Sequence, residues 1–263
     1  MTIPVFYLPV PVPDERIAIV DSLDQVYYFP QTFAVRSDPI ARKSDIIDVA
    51  YVHGAKDVSD GMFSQRVIEI AGKIWAATDA EYNERWDALA EQLAKVDFRV
   101  RHRGREINIK KIEDISHEYP EKMGVRFGEI SIRLLALDPF WYSLTEREKE
   151  ITIVNSPTTF QWTIGGKVEV FPIITIENQA DNTDFILQNE TDGEREFRVQ
   201  DAFNLNGTTV IIDCIEGTVM RGATNLISGF SGMFLRLLFG RGNKFNYTGG
   251  NCVISMTYKD GYI

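Results

Sequence analysis

The chain has 263 residues, 44% hydrophobic and 25% charged, a globular composition that excludes a disordered, collagen-like or disulfide-framework protein. Lys and Arg total 28 against 38 Asp and Glu, a net charge of −10; this argues against a general nucleic-acid binder, which neutralises phosphates with a positive surface. The two cysteines, Cys214 and Cys252, lie in apolar strand-like runs (VIIDCI and NCVISM) and read as small buried hydrophobes made in a reducing compartment, not as a redox pair or metal site.

The first thirteen residues, MTIPVFYLPVPVP, are apolar and uncharged. Pro4, Pro9, Pro11 and Pro13 rule out a helical signal segment, and an extended arm is expected. No later run approaches the roughly 18 apolar residues of a membrane helix, so a soluble protein is expected. FSQRVIEIAGKIWA (63–76) alternates as a strand and leads into a helix. That helix starts at Thr78, with Glu81 three residues on in a capping-box arrangement. Tyr82, Trp86, Leu89, Ala90, Leu93 and Val96 then recur at spacings of three and four, forming one apolar face.

DFRVRHRGREINIKKIED (97–114) predicts a hairpin turning at Gly104, with Phe98 and Val100 on one face and Arg99, Arg101 and Arg103 on the other. GVRFGEISIRLLALDPFWY (124–142) predicts a long strand in which Ile130, Ile132 and Leu134 alternate with polar residues. The N-terminal domain, 1–150, is therefore mainly antiparallel sheet with one packed helix. Residues 151–170 read as a linker leading into the next strand. Residues 171–263 show strands near 171–177, 184–188, 195–199, 208–213, 217–220, 233–238 and 252–258 between Gly, Asn and Asp turns. That pattern describes a β-sandwich of jelly-roll type.

Chemistry is sparse. His53, His102 and His117 are far apart, with no metal-binding spacing; the acidic residues are scattered, and no cofactor or metal is expected. GFSGM (229–233) lacks the final glycine of a nucleophile elbow. GRGNKFNYTGG (240–250) lacks the Lys and following helix of a phosphate loop, and reads as a strand-connecting loop. Asn189, Asn206 and Asn246 open glycosylation sequons but read as turn residues. Phe203, Phe230, Phe245 and Tyr247, placed in loops, show no repeated sugar-stacking pattern. The one concentrated charge is Arg99, Arg101, Arg103, Arg105, Lys110 and Lys111, interrupted by Glu106. Much of it projects on one hairpin face. A solvated or guarded strand face is the plainer reading, and contact with an acidic neighbour or a nucleic acid the functional one.

The order of elements resembles the distal tail proteins of long, flexible-tailed (siphovirus-type) bacteriophages. VIEIAGKIWAATDAEYNERWDALAEQL (67–93) is similar to that family's strand, glycine and amphipathic helix. LLALDPFWYS (134–143) resembles the close of its first domain. FPIITIEN (171–178), TTVIIDCIEGTV (208–219), LISGFSGMFLRLLFGRGNKF (226–245) and CVISMTY (252–258) follow its second. The resemblance implies an N-terminal split β-barrel, or belt, carrying one helix and closing six copies into a ring, and a C-terminal galectin-like sandwich.

Its implied role is that of a non-enzymatic hub of the virion tail tip, synthesised in the host bacterial cytoplasm. Its partners would be further copies in a homohexamer, the tail-tube protein, the tail-tip or baseplate proteins and the tape-measure protein. DNA would pass through its channel without specific binding, and no membrane partner is implied. Ring closure requires one patch to meet a different patch on the next copy. Unpaired strand edges near 63–71 and 97–112, the extended arm and the six basic residues of the hairpin are the candidates. A tail-tube subunit and a carbohydrate-binding sandwich protein remain as alternatives.

Overall fold

In the computed structural model, alternation of apolar and polar side chains is realised as strand over most of the chain. The structure describes residues 16–30, 32–37, 46–48, 55–57, 63–95, 97–118 and 127–263. The Pro-rich arm and Val96 lie outside that set. The chain divides into two compact units between Trp141 and Tyr142.

The N-terminal unit contains β1 (Ala18–Val20), β2 (Val26–Tyr28), β3 (Ala34–Ser37), β4 (Ile46–Asp48), β5 (Ala55–Asp57), β6 (Arg66–Trp75), α1 (Asp79–Leu93), β7 (Phe98–His102), β8 (Arg105–Ile109), β9 (Lys111–Glu118) and β10 (Phe127–Ala136). One run of strands has the order β8-β7-β1-β2, and a separate four-stranded sheet has the order β3-β6-β10-β9, antiparallel throughout. Ile68, Ile70, Ile74, Ile130, Ile132 and Leu134 bury one face of the latter. At about 1.5–3 kcal/mol for each large aliphatic side chain, that face is what holds the sheet in place.

α1 begins where expected. The Thr78 hydroxyl accepts from the Glu81 amide (3.2 Å), while the Glu81 carboxylate reaches back to the Ala77 amide (2.8 Å), so two amides left over at the helix start are satisfied. Tyr82, Leu89 and Leu93 are buried. The β7–β8 hairpin also turns as expected. Arg103 (φ 50°) and Gly104 (φ 70°) are both left-handed, the conformation a two-residue turn needs to match strand twist.

The C-terminal unit contains β11 (Trp141–Ile153), β12 (Thr158–Thr163), β13 (Ile173–Asn178), β14 (Asp184–Asn189), β15 (Arg195–Gln200), β16 (Thr209–Asp213), β17 (Thr218–Arg221), β18 (Thr224–Asn225), β19 (Phe230–Gly232), β20 (Gly242–Thr248) and β21 (Cys252–Tyr262). Two open sheets, β18-β17-β16-β13-β21-β11 and β12-β20-β14-β15-β19, enclose a core that includes Phe185, Phe197, Ile212, Phe245, Tyr247 and Ile254. Among the described residues the fold is mainly β with one α-helix, and no sheet closes into a barrel.

Several local expectations need correction. The stretch 240–250 is not a loop, because Phe245 and Tyr247 alternate inward and make β20 a strand of the sandwich. Residues 233–238 form no strand and carry one isolated bridge, that of Leu237 with Val170; Leu235 and Leu237 are nonetheless buried. Asn189 opens a turn as expected, its carbonyl accepting from the Asp192 amide (3.2 Å), but it is also a core residue. It ends β14 fully buried, donating to the Arg236 carbonyl (3.0 Å) and the Asn243 side chain (3.2 Å). Residues 151–170 carry the end of β11 and all of β12.

Candidate assembly interface

Arg99 and Arg101 share one face of β7, and Glu106, directly opposite Arg101, lies on the same face of β8. Glu106 is buried and takes an ion pair from Arg101 (3.1 Å) and a longer one from Arg99 (3.4 Å), while Arg99 also pairs with Asp24. These two arginines are thus held within the chain. Arg105, opposite His102, falls on the other face with Ile107 and Ile109, so the basic cluster does not form one uniform stripe. The alternation was legible, but the register placing Glu106 among the arginines was not. Arg103, Lys110 and Lys111 are exposed.

The edges also fall elsewhere than expected. β6 is flanked by β3 and β10, and β7 by β1 and β8, so neither the strand at 63–71 nor β7 offers a free edge. Among the described residues, the four-stranded sheet ends at β3 and β9, and β2 ends the other run. β9 is long and mostly exposed. Among the described residues no strand lies on its outer side, and an edge of that kind is suited to pairing with another strand.

The outer face of the four-stranded sheet is ordered in rows. Pairing registers align Arg36, Glu69, Arg133 and Asp114 across β3, β6, β10 and β9, so charge alternates from one edge to the other. Next to it runs a row of small residues, Ala34, Ala71, Ser131 and Ser116. Beyond that lie Lys73, Glu129 and Glu118, with Lys73 and Glu129 in an ion pair (2.7 Å). The small-residue row floors a groove walled by Arg36, Lys73, Glu118 and Glu129. Facing the interior, Val35, Ile70, Ile132 and Ile115 line up in the same registers, and Ile115 at the β9 edge is 39% exposed.

Among the described residues no group of three or more His, Cys, Asp or Glu could hold a metal ion, and no helix is long and apolar enough to cross a membrane. Cys214 and Cys252 are both buried; burial pushes the Cys214 thiol up to about 12 and raises that of Cys252. Of the four aromatic residues weighed for sugar stacking, Phe245 and Tyr247 are fully buried, and Phe230 stacks on Phe234 (4.5 Å). Phe203 is exposed, with the Arg221 guanidinium over its ring. One such ring does not make a sugar platform.

The crystal structure of the SPP1 Dit (gp 19.1) protein superposes on 94% of this chain and 99% of its own length, with a TM-score of 0.74 and 14% sequence identity. This chain has the Dit fold. SPP1 Dit is described as a paradigm of the hub adsorption apparatus in phages that infect Gram-positive bacteria. Chains of the phage p2 baseplate in its activated conformation, determined with strontium and with calcium, cover the same shares at 10% identity and a TM-score of 0.49, and at that score they add nothing to the Dit assignment. No protein-family model and no curated protein sequence matches the chain. At 14% identity with SPP1 Dit, backbone architecture is what the two share.

Proposed function

We propose that this chain is a structural, non-enzymatic protein of a phage tail tip. In this reading six copies close a hub ring that joins the tail tube to the tail-tip or baseplate proteins and leaves a passage for DNA. The observation that supports it best is the match of one Dit structure to both units at once. A tail-tube subunit would have no use for the separate sandwich. The protein would be made in the host cytoplasm and reside in the virion tail, with the tape-measure protein as a further neighbour. Exposed Arg103, Lys110 and Lys111 would meet acidic surface on an adjacent copy or on the tube, while Arg99 and Arg101 position the hairpin.

The face carrying Arg36, Lys73 and Arg133 against Glu69, Asp114, Glu118 and Glu129 suits the wall of a DNA passage. Its three cations stand against four anions, close to neutral, and a strongly basic lining would hold DNA by counterion release and oppose ejection. Electron microscopy of the purified chain and of isolated tails is the test. Six copies of 29.9 kDa give particles of about 179 kDa if a ring closes. Rings missing from both samples would refute the reading.

A further inference from the structure

Among the described residues, and within the C-terminal unit, the two sheets of the sandwich end at β18, β11, β12 and β19. Three of these ends are guarded. β18 is two residues long and β19 three, while β11 carries Glu146, Arg147, Glu148, Lys149 and Glu150, all exposed. Short length and charge are the usual protections of a sheet edge against stray pairing. β12 has neither. It is six residues long, TTFQWT, and lies in a run from 151 to 166 that holds no charged side chain.

The two faces of β12 are chemically distinct. Phe160 and Trp162 pack against the core, Phe160 stacking on Phe245 (5.2 Å between centroids) and Trp162 lying beside both rings (4.8 and 5.7 Å). Thr159, Gln161 and Thr163 are exposed. The Gln161 amide lies over Gly242 of β20, where the absent side chain leaves room for it, and so is turned away from the open edge. From Gln161 outward, the strand is complementary to itself in the reverse direction: an aromatic residue on each side, then a threonine on each side.

We propose that two copies of this chain join by antiparallel pairing of β12 with β12 about a two-fold axis at Gln161. Gln161 then stands opposite its own copy, Phe160 opposite Trp162 and Thr159 opposite Thr163, each twice. Aromatic pairs and threonine pairs directly across an antiparallel ladder are favourable, and a two-fold contact uses one self-complementary patch on both subunits. A slip by one residue sets the core-facing aromatics against the outward threonines and glutamine. A slip by two brings either Pro157, which has no N–H, opposite Thr163, or Gly165 opposite Thr159, and both weaken a ladder. Neighbours in a six-fold ring are related by a sixth of a turn, so this contact is not the ring's seam. It joins free chains or separate rings, and it does not depend on the ring reading.

The test uses the full chain carrying Gln161→Cys. A two-fold axis at this position brings the sulfur against its own copy, with the Cα atoms about 4.5–5.5 Å apart, within disulfide reach. Mild oxidation is expected to give one covalent dimer and nothing larger on a non-reducing gel. Thr159→Cys alone, whose copies would stand about 14 Å apart along the ladder, should stay monomeric, and Thr159→Cys combined with Thr163→Cys should give the dimer again. Gln161→Glu faces Lys244 within its own chain, which suits the fold, but sets two carboxylates together at the axis. Sedimentation should show the dissociation constant of the pair raised at least tenfold by this change, and by less in high salt, which screens the repulsion. No dimer from Gln161→Cys, or Thr159→Cys dimerising as readily, would overturn the pairing. A peptide of residues 158–163 that binds a chain remaining monomeric by itself would assign the edge to a strand of another protein and overturn the second copy as its occupant. Rings seen by microscopy without the Gln161→Cys cross-link would keep the hub and remove this contact, and the cross-link without rings would do the reverse.

Discussion

The hydroxyl of Tyr82 on α1 and Nε2 of His117 on β9 are hydrogen-bonded to each other directly above Gly128 of β10, where any side chain would overlap both. The His117 ring also stacks on Trp86 (4.2 Å between centroids). Helix, edge strand and central strand meet at this one point, so α1 fixes β9 against β10.

Gly128→Ala should therefore loosen α1 without straining the strand backbone. Overpacking of this kind costs about 1–3 kcal/mol. Denaturant unfolding of the variant is expected to show that loss, and Tyr82→Phe in the same chain, which removes the clashing hydroxyl, should recover part of it.

Burial holds the His117 imidazole below its ordinary pKa, so the folded protein resists protonating it. The unfolded chain then binds more protons in the window below about pH 6.5. This contribution is fully present above that pH and is lost as pH falls toward the lowered folded value. Stability measured between pH 7 and 5 should decline with acid, and His117→Gln should flatten the slope. An unchanged slope would remove His117 from this role.

Glu106→Ala leaves Arg99 and Arg101 without their shared carboxylate. Since both guanidiniums are partly solvated, the expected cost is about 1–2 kcal/mol. Arg103→Asn keeps a residue that tolerates the left-handed turn and should alter stability by less than about 0.5 kcal/mol. Comparing unfolding midpoints with assembly yields separates the two kinds of arginine: Arg103→Asn is expected to affect assembly alone.

Asn189 bonds the Arg236 carbonyl, the Asn243 side chain and the Thr191 amide (3.2 Å) from a fully buried site. Asn189→Ala strands those partners, and a loss of about 2–3 kcal/mol is expected on thermal or denaturant unfolding. Produced in a glycosylating host, the native chain should carry no glycan at this residue, as peptide mass spectrometry would reveal.

With Cys214 raised to about 12 and Cys252 also raised by burial, almost no thiolate exists near neutrality, and neither sulfur is accessible. A thiol reagent at pH 8 should label the native protein very slowly and the unfolded protein at both sites quickly.

Local order was readable from residues a few positions apart. Thr78 and Glu81 marked the helix start, Tyr82, Leu89 and Leu93 its buried side, Gly104 the hairpin turn, and the alternation of Ile130, Ile132 and Leu134 a half-buried strand. These signals depend on helical and strand periods and on turn geometry, which act over a few residues, and together with the order of elements they sufficed for a mainly β architecture with one helix.

Tertiary structure alone decided which strands are interior and which are edges, because that depends on partners far along the chain. β6 and β7 acquire neighbours on both sides, while among the described residues β9 is an edge strand. Only pairing registers bring Arg36, Glu69, Arg133 and Asp114 into one row, and only the approach of Arg236 and Asn243 makes the turn residue Asn189 a buried tie as well. A strand's alternation names two faces; which face is covered, and what stands opposite each side chain, is set by hydrogen-bonded neighbours that no local pattern specifies.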